Sequence, residues 1–177
     1  HLTLRVPGTR NFLINPWGLR YDEVTASNLV EIDIDGNTVG PSNYPVNKAG
    51  FVIHSAIHAG REDTHCVFHI HTTDGMAVAA QQGGLLPISI MATGYYGRVG
   101  YHDYEGPSLN LDERQRLVKS MGHHKTLILR NHGLLTAGLT VEEAFVLMFR
   151  LQRACEIQIA AQAGGDALTI PSQAVRE

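Results

Sequence analysis

The chain has 177 residues, 44% of them hydrophobic and 18% charged, with a net charge of −3. That is enough chain for a full hydrophobic core, which excludes a disordered polypeptide and a small stapled scaffold. Charge falls below the roughly 25% of an average globular domain, so sister subunits are expected to cover part of the surface; no lysine or arginine cluster offers nucleic acid or an anionic membrane a footprint, and no apolar run reaches the roughly 18 residues of a spanning helix.

His1 opens directly into a strand-like run, with no signal-peptide pattern. Residues 1–177 read as a single domain whose parent protein carries a further N-terminal segment. Leu2–Val6 and Asn11–Ile14 flank the turn dipeptide Pro7-Gly8 and predict a hairpin. A second turn follows at Asn15-Pro16-Trp17-Gly18. Leu29–Ile34 alternates Val30, Ile32 and Ile34 with Glu31 and Asp33 and ends at Asp35-Gly36, a tight-turn pair. Asn47 can cap a helix running to Ala59. Its His54 and His58 lie one turn apart and could pair on a metal, but one is expected in the core and the other in solvent. Cys66 to His71 reads as a short buried strand, Asp74–Gln82 as a small helix and Asn110 to Met121 as another. Thr126–Leu129 is an apolar strand running into the turn Asn131-His132-Gly133. Thr140-x-x-Glu143 is a capping box, after which Val141, Phe145, Met148, Leu151, Cys155 and Ile159 mark one helical face. Strands and helices alternate irregularly and no Gly-x-Gly-x-x-Gly occurs. The class is therefore α/β or α+β around a mixed or antiparallel sheet, not a doubly wound dinucleotide fold. Cys66 and Cys155 make no disulfide framework and are expected reduced and buried, as in a cytoplasmic protein.

Ten histidines against two cysteines is the imbalance that points to chemistry. His69 and His71 are two apart on an expected strand, so both face the same way. Two such imidazoles can serve one ion, or can be two hydrogen-bonded histidines at a strand end. His132, in a turn after another strand, can add a third nitrogen, with Gly133 permitting a sharp reversal and leaving room beside an ion. Three protein ligands leave positions for substrate and water, as catalytic metal sites require. Neutral imidazole suits zinc, iron, nickel and copper better than calcium or magnesium. His102, in Tyr101-His102-Asp103-Tyr104, reads as part of a structural network, and His123-His124 as a solvated loop pair.

Taken together, His69-Ile70-His71-Thr72, Gly84-Leu85-Leu86-Pro87-Ile88-Ser89, Tyr101-His102-Asp103-Tyr104-Glu105-Gly106, Arg130-Asn131-His132-Gly133 and Ala154-Cys155-Glu156-Ile157-Gln158 resemble the class II aldolase/adducin family, nearest its adducin-like bacterial branch. The resemblance implies a layered α/β/α domain with a central, mostly antiparallel sheet flanked by helices. It implies a homotetramer with metal sites near subunit contacts. It also implies that His69, His71 and His132 match the zinc ligands of the sugar-phosphate aldolases.

The departures are as informative. The aldolases carry a Ser-Ser-Glu triplet whose glutamate binds metal and acts as the enolising base and whose serines hold phosphate; here Lys48, Ala49 and Gly50 stand there. A threonine–glycine pair that also holds phosphate is replaced by Trp17-Gly18, and a phosphate-binding asparagine corresponds to His1. Standard sugar-phosphate cleavage is therefore not expected.

A cation with three neutral ligands keeps its double charge and can polarise a carbonyl. Decarboxylation uses this without needing the missing glutamate. The expected activity is a metal-dependent lyase, aldolase-like or decarboxylating, on a small oxo or hydroxy carboxylate. Zinc is the foremost cofactor, with manganese or iron as alternatives. Trp17, Gly18 and Lys48 are candidate substrate-binding residues. Tyr96, Tyr104 and His54 are candidates to return a proton to carbon; the family uses a tyrosine from a neighbouring subunit, near Tyr95 and Tyr96, although Met91 falls at the nearest match. Two further readings stay open: a non-catalytic adducin-like oligomeric scaffold, and an iron-dependent oxygenase on the same three histidines.

Overall fold

The structure is a computed structural model and describes residues 1–107 and 111–176. Its strands are β1 (Leu2–Arg5), β2 (Phe12–Ile14), β3 (Val30–Ile32), β4 (Cys66–Ile70), β5 (Val99–His102), β6 (Thr126–Leu129) and β7 (Gly133–Gly138). Its α-helices are α1 (Lys48–Gly60), α2 (Thr73–Ala79), α3 (Ile90–Thr93), α4 (Glu113–Met121), α5 (Val141–Ala163) and α6 (Gln173–Arg176). The strands form a sheet in the order β3-β2-β1-β4-β7-β6-β5. Antiparallel pairing dominates, as expected, but β5 and β6 run parallel, so the sheet is mixed. The Asn110 start expected for α4 lies outside the described residues. Among the described residues no helix is long and apolar enough to cross a membrane.

The chain divides into two compact units. The first holds His1–Phe68, Glu105–Lys119 and Ala137–Ala144. Its hairpin closes at Pro7-Gly8 in the register Thr3↔Ile14, Leu4↔Leu13, Arg5↔Phe12, with Gly8 at φ 75, a value that glycine adopts without steric cost. Alternation places Phe12 and Ile14, then Val30 and Ile32, on one buried face, where Phe51 and Val52 of α1 cover them. Histidines 54 and 58 correct the expectation. Neither faces solvent; both are buried, and Thr3 Oγ1 lies 2.8 Å from His54 Nδ1 and 2.8 Å from His58 Nε2. Residues i and i+4 share a helix face, so a face that turns one histidine inward turns both. A single hydroxyl then bonds one nitrogen of each ring, donating to one and accepting from the other.

The second unit holds His69–Tyr104, Ser120–Thr136 and Phe145–Glu177. Here β6 is buried along its whole length and pairs with β7 through Leu127↔Leu135 and Ile128↔Leu134. Two strands escaped the sequence pattern. β7 is buried at every residue, so it shows no alternation. β5 contains Gly100, where a Cβ would stand 2.4 Å from the Ser120 carbonyl oxygen.

In the first unit, the Thr140 hydroxyl accepts from the Glu143 amide at 3.1 Å and opens α5 as expected. The buried stripe of α5 is Ala144, Met148, Leu151, Ala154, Cys155 and Gln158, while Val141 and Phe145 are exposed. The expected face thus holds at Met148, Leu151 and Cys155 and fails in the first turn; there the backbone comes close to Gly138, where a Cβ would lie 2.7 Å from the Ala144 amide nitrogen. Both cysteines are free and buried, and burial pushes each thiol up to about 12.

Candidate metal centre

His69 is the penultimate residue of β4 and His71 stands one step past its end, so the pleat turns both to one face. The third imidazole comes from the turn joining β6 to β7. Asn131 there adopts φ 55, the one positive φ at a non-glycine among the described residues, and asparagine is among the few residues that tolerate this conformation. The reversal expected at Gly133 is thus made at Asn131. Gly133 meets a different need: a Cβ there would lie 2.4 Å from the Ile70 carbonyl oxygen and 3.0 Å from the His71 ring. Only glycine lets this turn close onto the end of β4.

The three rings converge. Their centroids are 4.6 Å apart for His69–His71, 4.9 Å for His69–His132 and 4.8 Å for His71–His132. One nitrogen of each lies within 4.8 Å of the others, and His69 Nε2 is 2.8 Å from His71 Nε2. His69 is buried, His132 half-buried and His71 exposed, so the cluster opens outward on one side. His69 Nδ1 lies 2.9 Å from the Leu134 carbonyl oxygen. A carbonyl only accepts, so Nδ1 carries the proton and Nε2 presents a lone pair. Burial holds His69 well below the usual imidazole range, with the neighbouring His132 and His71 adding to the effect. Burial also lowers His71, and it lowers His132 to about 4. Three neutral nitrogens, one tautomer fixed by the backbone and a glycine cradle fit a divalent cation with three protein ligands.

Tyr104 stands beside the cluster, its ring 6.3 Å from that of His132. His102 is buried with Nδ1 3.0 Å from Ser120 Oγ, the structural role expected of it.

The family described as Class II Aldolase and Adducin N-terminal domain matches residues 1–159. The chain belongs to this family. Alpha-adducin of Rattus norvegicus is 50% identical over 171 residues, which cover 93% of this chain but only 23% of the adducin. The crystal structure of an aldolase II superfamily protein from Pseudomonas syringae matches with a TM-score of 0.96 at 54% identity, over 99% of this chain and 72% of that one. L-fuculose 1-phosphate aldolase from Glaciozyma antarctica matches with a TM-score of 0.87 at 30% identity, over 99% of this chain and 68% of that one. The class II aldolase fold therefore holds for this chain.

The remaining candidates from this family's pattern fall in different places. Trp17 is 55% exposed and stacks on the His1 ring, centroids 6.5 Å apart. Gly18 follows at φ 92, and Lys48 is the exposed first residue of α1. Gly50, matched by resemblance to the aldolases' glutamate, has the His1 ring 3.1 Å from where a Cβ would be, so this position holds an imidazole against bare backbone. His54 is fully buried and has no open face for a substrate. Tyr96 lines a cavity of about 220 Å³ with Leu85, Pro87 and Tyr101, to which none of the three histidines contributes, and Arg176 lies over its ring at 4.7 Å. Within one chain the phenol next to His132 is Tyr104. Sequence reasoning did not foresee the Leu134 carbonyl, because no side-chain pattern marks a backbone acceptor.

Proposed function

We propose that this chain is a metal-dependent carbon–carbon lyase acting on a small oxo or hydroxy carboxylate, with His69, His71 and His132 holding one divalent cation, zinc foremost. The supporting observation is the convergence of three neutral imidazoles with their nitrogens within 4.8 Å of one another and one side open. A bound cation would supply positive charge that draws electron density toward a substrate carbonyl and so eases C–C cleavage. The chain's own groups do the rest. The Leu134 carbonyl fixes the His69 tautomer, and Tyr104, whose ring lies 6.3 Å from that of His132, returns a proton from its hydroxyl to the carbon released by cleavage. Gly50 offers no base and Lys48-Ala49 no hydroxyls, which sets sugar-phosphate cleavage aside. The family resemblance nominates Trp17, Gly18 and Lys48 as substrate-binding positions and a homotetramer as the working form. The exposed apolar side chains Ile90, Phe145 and Phe149 accord with subunit contacts.

The 50% identity to alpha-adducin favours one other reading, a non-catalytic oligomeric scaffold. Metal analysis of the purified protein and of a His69→Ala/His71→Ala variant separates the two, followed by a screen of oxo and hydroxy carboxylates for released carbon dioxide or aldehyde. The lyase reading expects about one zinc per chain, lost in the variant with oligomeric state unchanged, and turnover of at least one acid. A parent protein without metal and without turnover is the scaffold's result.

A further inference from the structure

Beside the histidine cluster lies a cavity of about 560 Å³ whose lining includes Gln82, Asp103, Tyr104, Arg130 and Asn131. Two of these residues tie it to the cluster. Asn131 is the chain neighbour of His132, and the Tyr104 ring contacts the His132 ring.

The lining holds two opposite charges that do not neutralise each other. Arg130 donates Nη1 to the Gln81 carbonyl at 2.7 Å, and its guanidinium lies 4.3 Å over the Tyr101 ring. This leaves further N–H donors on a group that is planar, rigid and always charged. Neither Arg130 nor the exposed Asp103 pairs with an opposite charge among the described residues. Arg130 can only donate and Asp103 can only accept, while the Tyr104 hydroxyl and the side-chain amides can do both. A ligand that satisfies this wall carries one anionic group and, away from it, hydroxyl groups. A second carboxylate or a phosphate at the far end would meet the Asp103 charge. Rejection by like charge discriminates as effectively as attraction.

We propose that this cavity is the specificity pocket of the site, that it takes a hydroxylated monocarboxylate with the carboxylate on Arg130 and a hydroxyl on Asp103, and that Asp103 excludes dicarboxylates and phosphate esters. The proposal rests on the lyase reading and narrows its substrate class. It also explains the loss of phosphate-binding side chains at Trp17 and at Lys48-Ala49: a substrate chosen by Arg130 and Asp103 has no phosphate to hold.

The test is ligand-observed NMR titration of the zinc-loaded full chain with glycerate and with malonate, for the parent, Asp103→Asn and Arg130→Gln. Both acids can chelate zinc, but the metal is common to all three proteins, so the ratio of affinities isolates the pocket. Asp103→Asn should raise the affinity for malonate relative to glycerate at least 5-fold, because the repelling charge is gone and the shape is kept. Arg130→Gln should weaken glycerate at least 10-fold with the melting temperature held. If Arg130→Gln fails to fold, the Asp103→Asn ratio decides, since Asp103 is exposed and makes no ion pair among the described residues. An unchanged ratio in Asp103→Asn, or no glycerate binding by the parent, overturns the proposal. Failure of the lyase reading shows elsewhere, as absence of bound metal in the parent or absence of turnover with every acid.

Discussion

A backbone carbonyl governs what the buried histidine of the cluster can do. Because Leu134 accepts from His69 Nδ1, Nε2 is left as the ligand atom. Gly133 is the steric counterpart. Gly133→Ala should cost about 1–3 kcal/mol, the usual range for overpacking, and should weaken zinc at least 10-fold, read by denaturant titration and by competition with a chelator; unchanged metal affinity would show that the turn does not need glycine. His58 gives a second residue-level expectation. Its ring stacks on Phe12 at 4.8 Å, and burial, with the nearby Arg5 charge, lowers its pKa to about 3. The unfolded chain takes up this proton near 6.5, so between about 3 and 6.5 the unfolded state holds more protons and stability rises with pH. Above that window the contribution is complete; on acidification it is lost at up to about 1.4 kcal/mol per pH unit. His58→Gln, which can still bond Thr3, should flatten the fall of the urea midpoint between pH 6.5 and 4, and a slope equal to the parent's would contradict the assignment. At this scale the histidine cluster was legible, because period-2 spacing and a strand-end turn are local patterns. The burial of His54 and His58 was not legible, because it depends on Thr3, some fifty residues away.

Among elements, the β6–β7 turn and α5 carry the main lessons. Asn131 holds a backbone conformation that costs alanine roughly 1 kcal/mol more than it costs asparagine or glycine. Asn131→Ala should therefore destabilise by about 1 kcal/mol and Asn131→Gly should be near neutral, as thermal melts can check. Thr140→Ala removes the side-chain acceptor for the Glu143 amide and should likewise cost about 1 kcal/mol. The Pro7-Gly8 turn revealed β2 as one arm of a hairpin, and hydrophobic alternation revealed β3 because it keeps one face outward. Alternation could not reveal β7, which is buried on both faces, or β5, whose Gly100 is set by the Ser120 carbonyl. Period placed Met148, Leu151 and Cys155 of α5 correctly on the buried face, but Val141 and Phe145, counted on the same face, are exposed and Ala144 is buried in their place.

For the whole molecule, family membership was legible because several short motifs recur in one order along the chain, which no single motif could establish. The resemblance sets Trp17, Lys48 and Gly50 apart from the aldolases' residues, and the proposal of a different substrate rests on these positions, while the fold is shared. The oligomer expected from the family should appear in sedimentation as a tetramer that persists when His69 and His71 are replaced. The most direct test of the metal centre is a crystal structure of the purified protein with anomalous data at the zinc edge. One peak per chain, about 2.0–2.1 Å from a nitrogen of each of His69, His71 and His132, is the predicted result. No peak after zinc is supplied, or a peak bounded by other residues, would contradict the account.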